Sequence, residues 1–202
     1  LDADITLPDG WKPIGATKDG RVNLQEGANL NAFSGIFDGA GHTITVPEDG
    51  LPLFGYVRNT RIRNLNIYGK KIAGYGLVNN FEGVGLSGSA VEIDNVTLKS
   101  GSSTLKSGLL GANKTVNGYA GCSAAFVATI TNCTIEKGVV IGYDKNQRQI
   151  GAIAGRMQGT IKNCVSYADV YGTDYVGGII GTRDNAMGTC EVIGSEFYGT
   201  VT

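Results

Sequence analysis

Histidine, tryptophan, cysteine and proline are all scarce in this 202-residue chain, which has one His, one Trp, four Cys and four Pro. A single histidine, His42, in the turn-like Gly41-His-Thr43 cannot build a zinc site with distant Asp and Cys unless the fold gathers them, and a solvated turn residue is the plainer reading. Cys122, Cys133, Cys164 and Cys190 contain no C-x-x-C pair, which excludes zinc-ribbon and thioredoxin-like sites. Charge of either sign is not in excess: 17 basic residues stand against 18 acidic. Nucleic acid, which needs a concentrated basic surface, is therefore not an expected partner. No apolar run approaches the roughly 18 residues of a membrane span. No cofactor or metal is implied.

Glycine is abundant instead, at 32 of 202 residues, about 16% against a usual level of roughly 7%. With 42% hydrophobic residues, this composition reads as one folded domain with many tight turns. A six-residue pattern returns five times: Ile62-Arg-Asn64-Leu65-Asn-Ile67, Ile93–Leu98, Ile130–Ile135, Ile161–Ser166 and Val192–Phe197. Successive starts (62, 93, 130, 161, 192) lie 31, 37, 31 and 31 residues apart. A period of this size marks a solenoid. The apolar residues at the first and fourth positions break strand alternation once. An Asn in the left-handed region would turn the chain there and restore the inward phase. Asn64, Asn95, Asn132 and Asn163 are thus expected to stack as a buried ladder. Gly194, the other residue that tolerates positive φ, continues it.

Gly-flanked apolar pairs recur between these patterns, as Gly108-Leu-Leu-Gly111 and Gly178-Ile-Ile-Gly181, with looser versions at Leu53–Gly55, Gly76–Val78 and Gly151–Gly155. Each reads as a further short strand bent by glycine. No segment sustains helical spacing over three turns. The expected fold is all-β: a right-handed parallel β-helix solenoid of about 31-residue coils, stacked about 4.8 Å apart. Four inserts, Asn79–Ala90, Ala112–Ala128, Asp144–Gln149 and Thr182–Cys190, should leave the coil as surface loops. Residues 1–202 read as one domain, with 1–46 an atypical N-terminal coil or cap containing Trp11 and Pro13, and 47–202 the repeats. Both ends read as cuts within a longer, multidomain chain. Asp4–Leu7 is already a strand and Gly199–Thr202 stops in mid-repeat, so a bare last coil prone to end-to-end association is expected.

The stretch Trp11-Lys-Pro-Ile-Gly15, Phe33–Ile44, Leu53-Phe-Gly55 and Ile62–Ile67, with the Gly-Leu-hydrophobic-Gly pairs, resembles the GLUG-repeat proteins of bacterial surfaces and secretions. The resemblance covers nearly the whole chain apart from the inserts. It implies a pectate-lyase-like β-helix in an extracellular or cell-surface protein, with no particular reaction.

Candidate chemistry is thin. Arg58, Arg61, Arg63, Lys70 and Lys71 would make a patch for an anionic glycan, but Arg61 and Arg63 also simply alternate outward around Ile62. Asp169, Asp174 and Asp184 do not assemble the paired carboxylates of a glycosidase, and Asp38 sits in a turn that favours Asp for local hydrogen bonding. Cys133 and Cys164 share one inward position and read as reduced, buried core filler. Asn95-Val-Thr97, Asn113-Lys-Thr115 and Asn132-Cys-Thr134 match the N-glycosylation pattern, two of them by coincidence with the repeat. The outward position after each pattern holds Tyr68, Lys99, Glu136, Tyr167 and Tyr198; Tyr167 and Tyr198 should stack on adjacent coils, with Tyr171 and Tyr175 nearby. An exposed aromatic row binds the apolar faces of sugars, while the plainer reading is a stabilising stack. The sequence thus points to a non-catalytic structural or adhesive module that presents loops to carbohydrate or a host surface. The alternative is part of a polysaccharide-active lyase or glycoside hydrolase.

Overall fold

The computed structural model describes residues 1–15, 32–82, 90–113, 127–183 and 189–202. Every strand pairing among them is parallel, and no helix interrupts the strands. Four columns of stacked positions define a parallel β-helix. One runs Ile14, Phe54, Val78, Leu110, Ala154, Ile180. The next runs Phe37, Ile62, Ile93, Ile130, Ile161, Val192. A third runs Ile5, Ile44, Ile67, Leu98, Ile135, Ser166, Phe197. The fourth runs Gly50, Ile72, Thr104, Ile141, Val170, Val201. Each turn of the chain through these columns is one rung, and six rungs are present.

The inward positions explain the stability. Ile62, Ile93, Ile130 and Ile161 are fully buried, as are Ile67, Leu98 and Ile135. Each such side chain contributes roughly 1.5–3 kcal/mol relative to exposure. β-branched Ile and Val suit a pleated surface packed on one face. Small polar groups occupy a few inward sites, and each finds a partner. Ser102 Oγ accepts from the Gly69 amide at 3.2 Å, and Thr104 Oγ1 donates to the Lys106 carbonyl.

The corner after the Ile62 column turns as the pattern requires. Asn64, Asn95, Asn132, Asn163 and Gly194 have φ between 52° and 56°, and Ala40, at φ 51°, serves the first rung. The side-chain ladder is not continuous and not buried. Asn95 Nδ2 donates to Asn64 Oδ1 at 2.9 Å, and Asn64 Nδ2 to Asp38 Oδ1 at 3.2 Å, but Asn132 Nδ2 turns to Asp94 Oδ1 at 2.8 Å. Asn95, Asn132 and Asn163 are exposed. The expectation of buried amides is corrected: backbone conformation, not a buried amide bond, selects Asn here.

The Gly-flanked pairs have a steric cause. A Cβ on Gly76 would lie 1.9 Å from the Gly108 carbonyl oxygen, and one on Gly108 would lie 1.8 Å from that of Ala152. Successive rungs touch backbone to backbone at this corner.

The 31-residue spacing of the Ile62 column is present, but it is assembled by different routes. Where nothing is inserted, a rung is shorter: Phe54 pairs with Val78, 24 residues on, and Phe37 with Ile62, 25 on. Between Ile62 and Ile93 the extra length falls after Val78, whereas between Ile130 and Ile161 it falls after Ile141. The expected insert bounds are also too wide. Val78–Glu82, Leu110–Asn113, Val127–Thr131 and Ile180–Arg183 are strands. Residues 83–89, 114–126 and 184–188 of those three inserts lie outside the described residues. The fourth, Asp144–Gln149, does not leave the solenoid as a free loop. Its end joins strand Arg148–Gly151, which pairs with Asp174–Gly177 as a small ladder of its own.

Candidate functional site

The outward face of the Ile62 column carries the densest polar chemistry. Residues on either side of each inward Ile point outward, so Arg61 and Arg63 lie over Glu92 and Asp94, and these over Thr129 and Thr131. Together they line a shallow groove of about 270 Å³. Arg61 pairs with Glu92, and Arg63 Nε meets Asp38 Oδ2 at 2.8 Å. Asp94 Oδ1 accepts from Thr131 Oγ1 at 2.6 Å as well as from Asn132. The Ala40 amide, Asn64 and Arg63 hold the Asp38 carboxyl below the usual carboxylate range. Such a face offers hydrogen-bond donors and acceptors in rows. Asp38, with its pKa lowered, does not suit the role of a general acid, which calls for a raised one. The sequence reading missed Glu92, Asp94, Thr129 and Thr131. The available signal was the same outward alternation that it used for Arg61 and Arg63, carried on to the next rungs.

Beside this face runs the edge between the Phe54 and Ile62 columns. Two rungs cross it directly: Ile62 follows Phe54 by eight residues and Ile161 follows Ala154 by seven. In the other four the same crossing is longer, from Ile14 to Phe37, Val78 to Ile93, Leu110 to Ile130 and Ile180 to Val192. All four excursions therefore start and finish at one angular position of the solenoid.

The five tyrosines do not form one row. Tyr68, Lys99, Glu136, Tyr167 and Tyr198 follow the third column in order, and Lys99 pairs with Glu136 in the middle of the line. Burial pulls the Glu136 carboxyl upward, but the Lys99 ammonium and the Ser100 amide outweigh it and leave its pKa lowered. Tyr167 and Tyr198 stack on each other, with ring centroids 5.2 Å apart and planes 15° apart. Their facing surfaces are consumed by the stack, so a sugar would meet only edges and the outer face of Tyr198. Tyr171 lies under the Lys145 ammonium at 4.7 Å, and Tyr175, 55% exposed, stands on the separate ladder at φ 53°.

The remaining candidates fall into local pairs. Lys70 and Lys71 meet Glu48 and Asp49, which leaves no open basic run with the arginines. Asp169 accepts from Thr200, Asp174 pairs with Arg148, and Asp184 lies outside the described residues. His42 Nδ1 lies 3.2 Å from Asp4 Oδ1. Among the described residues, no three His, Cys, Asp or Glu side chains converge on a possible metal position. Cys133 and Cys164 are buried and free, and burial pushes the Cys133 thiol well up. Cys190 is also free, while Cys122 and the threonine of Asn113-Lys-Thr115 lie outside the described residues. No helix among the described residues is long and apolar enough to cross a membrane.

The columns define a parallel β-helix solenoid with a polar outer face and one edge of long crossings. Among solved structures, a candidate immunoglobulin A1 protease from Bacteroides ovatus shares this fold, with a TM-score of 0.62 at 20% sequence identity. The alignment covers all of this chain and 59% of that one. At this identity the likeness shows the fold alone. No protein family model matches the chain, and no curated protein sequence matches it.

Proposed function

We propose that this chain is a non-catalytic, structural or adhesive module of an extracellular bacterial protein, which presents loops toward carbohydrate on a cell or host surface. The observation that carries this reading is the common position of the four long crossings. A solenoid tolerates extra chain wherever a corner faces solvent. Four of the six crossings are long at one edge, with the direct crossings after Phe54 and Ala154 between them, beside a face of paired charges and hydroxyls, and this shared position supports reading the edge as a display surface. The resemblance to GLUG-repeat surface proteins supports the extracellular setting. The fold shared with a Bacteroides protein is compatible with it. The lyase or hydrolase reading is weaker, because Asp38, Glu92 and Asp94 are each already engaged by Arg, Asn or Thr partners.

The test compares the 202-residue chain with a variant in which residues 83–89 and 114–126 are each replaced by a short Gly-Ser link. Both are screened on a glycan array and on polysaccharide degradation assays. The expected result is an unchanged β-sheet circular dichroism spectrum with array binding lost from the variant. Retained binding would remove the display reading. Release of reducing ends or unsaturated products by the parent chain would establish the enzyme alternative.

A further inference from the structure

A second concave site lies at the first-rung end of the solenoid, between the chain before Ile14 and the chain before Phe54. The chain turns at Pro8–Trp11, where the Trp11 amide donates to the Pro8 carbonyl at 3.1 Å, and again at Pro47–Gly50, where the Gly50 amide donates to the Pro47 carbonyl at 2.8 Å. Between the two turns is a cleft of about 460 Å³, within the roughly 300–1,000 Å³ usual for small-molecule sites. Trp11 and Leu51 supply its apolar lining, and Asp9, Lys12, Glu48 and Asp49 its polar lining. Trp11 is the only tryptophan of the chain, and its indole Nε1–H is buried with no acceptor among the described residues.

We infer that this cleft binds a neutral pyranose of a glycan chain, with Trp11 as its apolar platform and the Asp9, Glu48 and Asp49 carboxylates as acceptors for its hydroxyls. The inference shares its ligand class with the proposed function but rests on a different part of the molecule. Charge selects the class. Glu48 and Asp49 are already compensated by Lys70 and Lys71 of the next rung, at 3.3 and 2.6 Å. Their remaining lone pairs suit hydroxyl donors rather than a further cation. With Lys12 on the lining beside Asp9, and Lys70 and Lys71 paired to Glu48 and Asp49, the cleft has no excess of either charge to draw in a uronic acid or a polyamine. An indole beside an aliphatic side chain meets the C–H face of a sugar ring, as aromatic platforms commonly do.

Because Trp11 is unique, its emission reports on this cleft alone. The experiment excites the 202-residue chain selectively at tryptophan and titrates it with lactose, cellobiose, chitobiose, digalacturonate and spermidine, each to about 50 mM, the range of weak millimolar sugar binding. The expected result is a saturable emission change with at least one neutral disaccharide and none with digalacturonate or spermidine. Asp9→Asn and Glu48→Gln should each weaken that response at least fivefold without moving the melting temperature, while Tyr167→Ala should leave it intact. No saturable change with any neutral disaccharide, or an equal response to digalacturonate or spermidine, overturns the inference. Array binding by a chain whose Trp11 emission stays silent overturns the cleft while leaving the display reading in place. A Trp11 response from a chain whose loops bind nothing has the opposite meaning.

Discussion

Two corners of the same solenoid behave in opposite ways. From the Ile62 column to the third column five of the six rungs take five residues, as in Ile62 to Ile67, Ile130 to Ile135 and Val192 to Phe197, and the first, Phe37 to Ile44, takes seven, an even increment that keeps the inward phase. From the Phe54 column to the Ile62 column, the crossing ranges from seven residues, Ala154 to Ile161, to twenty-three, Ile14 to Phe37. The first corner is fixed because a single left-handed residue must both turn the chain and return the next apolar side chain inward. One residue more or fewer would flip every following side chain to the wrong face. The second has no such requirement, since backbone pairing resumes on either side of whatever is inserted. Uniform geometry marks where the fold is specified, and variable length marks where it is free to carry something else.

The largest expected effect lies at the glycine corner. Gly108→Ala would place a methyl 1.8 Å from the Ala152 carbonyl oxygen, a contact that only backbone movement can relieve. We expect a loss of about 3 kcal/mol or more, read from urea unfolding. A loss below about 1 kcal/mol would mean that the rungs can separate there and that the glycines are not sterically required.

Next comes the Asn corner. Asn163→Val puts a β-branched residue at φ 53°, and the left-handed region costs an ordinary L-residue roughly 1–2 kcal/mol. Asn163→Gly, which keeps that conformation open, should change stability by only a few tenths. Equal losses for Val and Gly would assign the cost to the lost side chain and not to the backbone. Shortening 114–126 to the length of the direct crossing should by contrast shift stability by no more than about 0.6–1 kcal/mol, the scale of loop-closure entropy.

The smallest effect is electrostatic and confined to acid. Asp38 is held below the ordinary carboxylate value near 3.9 by the Ala40 amide, Asn64 and Arg63. A depressed folded pKa gives stability that is fully present above the unfolded value and is lost as pH falls through the folded one. Asp38→Asn should therefore flatten part of the stability loss below about pH 4 and change little of the pH dependence at neutral pH. A variant that retains the whole acid-side slope would show that Asp38 is not a contributor.

The fixed corner was legible in the sequence, because Asn64, Asn95, Asn132, Asn163 and Gly194 are the residue types that a left-handed turn selects. The parallel solenoid was legible for the same reason, through the inward Ile on either side of that turn. The true rung length was not. Extra residues after Val78 in one rung and after Ile141 in another give the same 31-residue spacing, so the period concealed where the insertions sit. The polar groove escaped notice because Arg61, Glu92 and Thr129 share no residue type, only a register. The line after the third column was legible as a stack: Tyr167 and Tyr198 lie face to face, and the same repeat position holds Lys99 and Glu136, which meet as an ion pair.

The central claim is that the rung, counted from one inward Ile to the next, is the structural unit. Excising residues 131–161 joins Ile130 to Lys162 and removes one rung in phase, since Thr131 and Lys162 are register partners. Excising residues 131–158 removes almost as much chain but leaves the columns out of phase. Thermal unfolding followed by circular dichroism should show a cooperative β-sheet transition for the in-phase variant and none for the other. Loss of the transition from both variants, or its survival in both, would contradict a fold built from interchangeable rungs in fixed register.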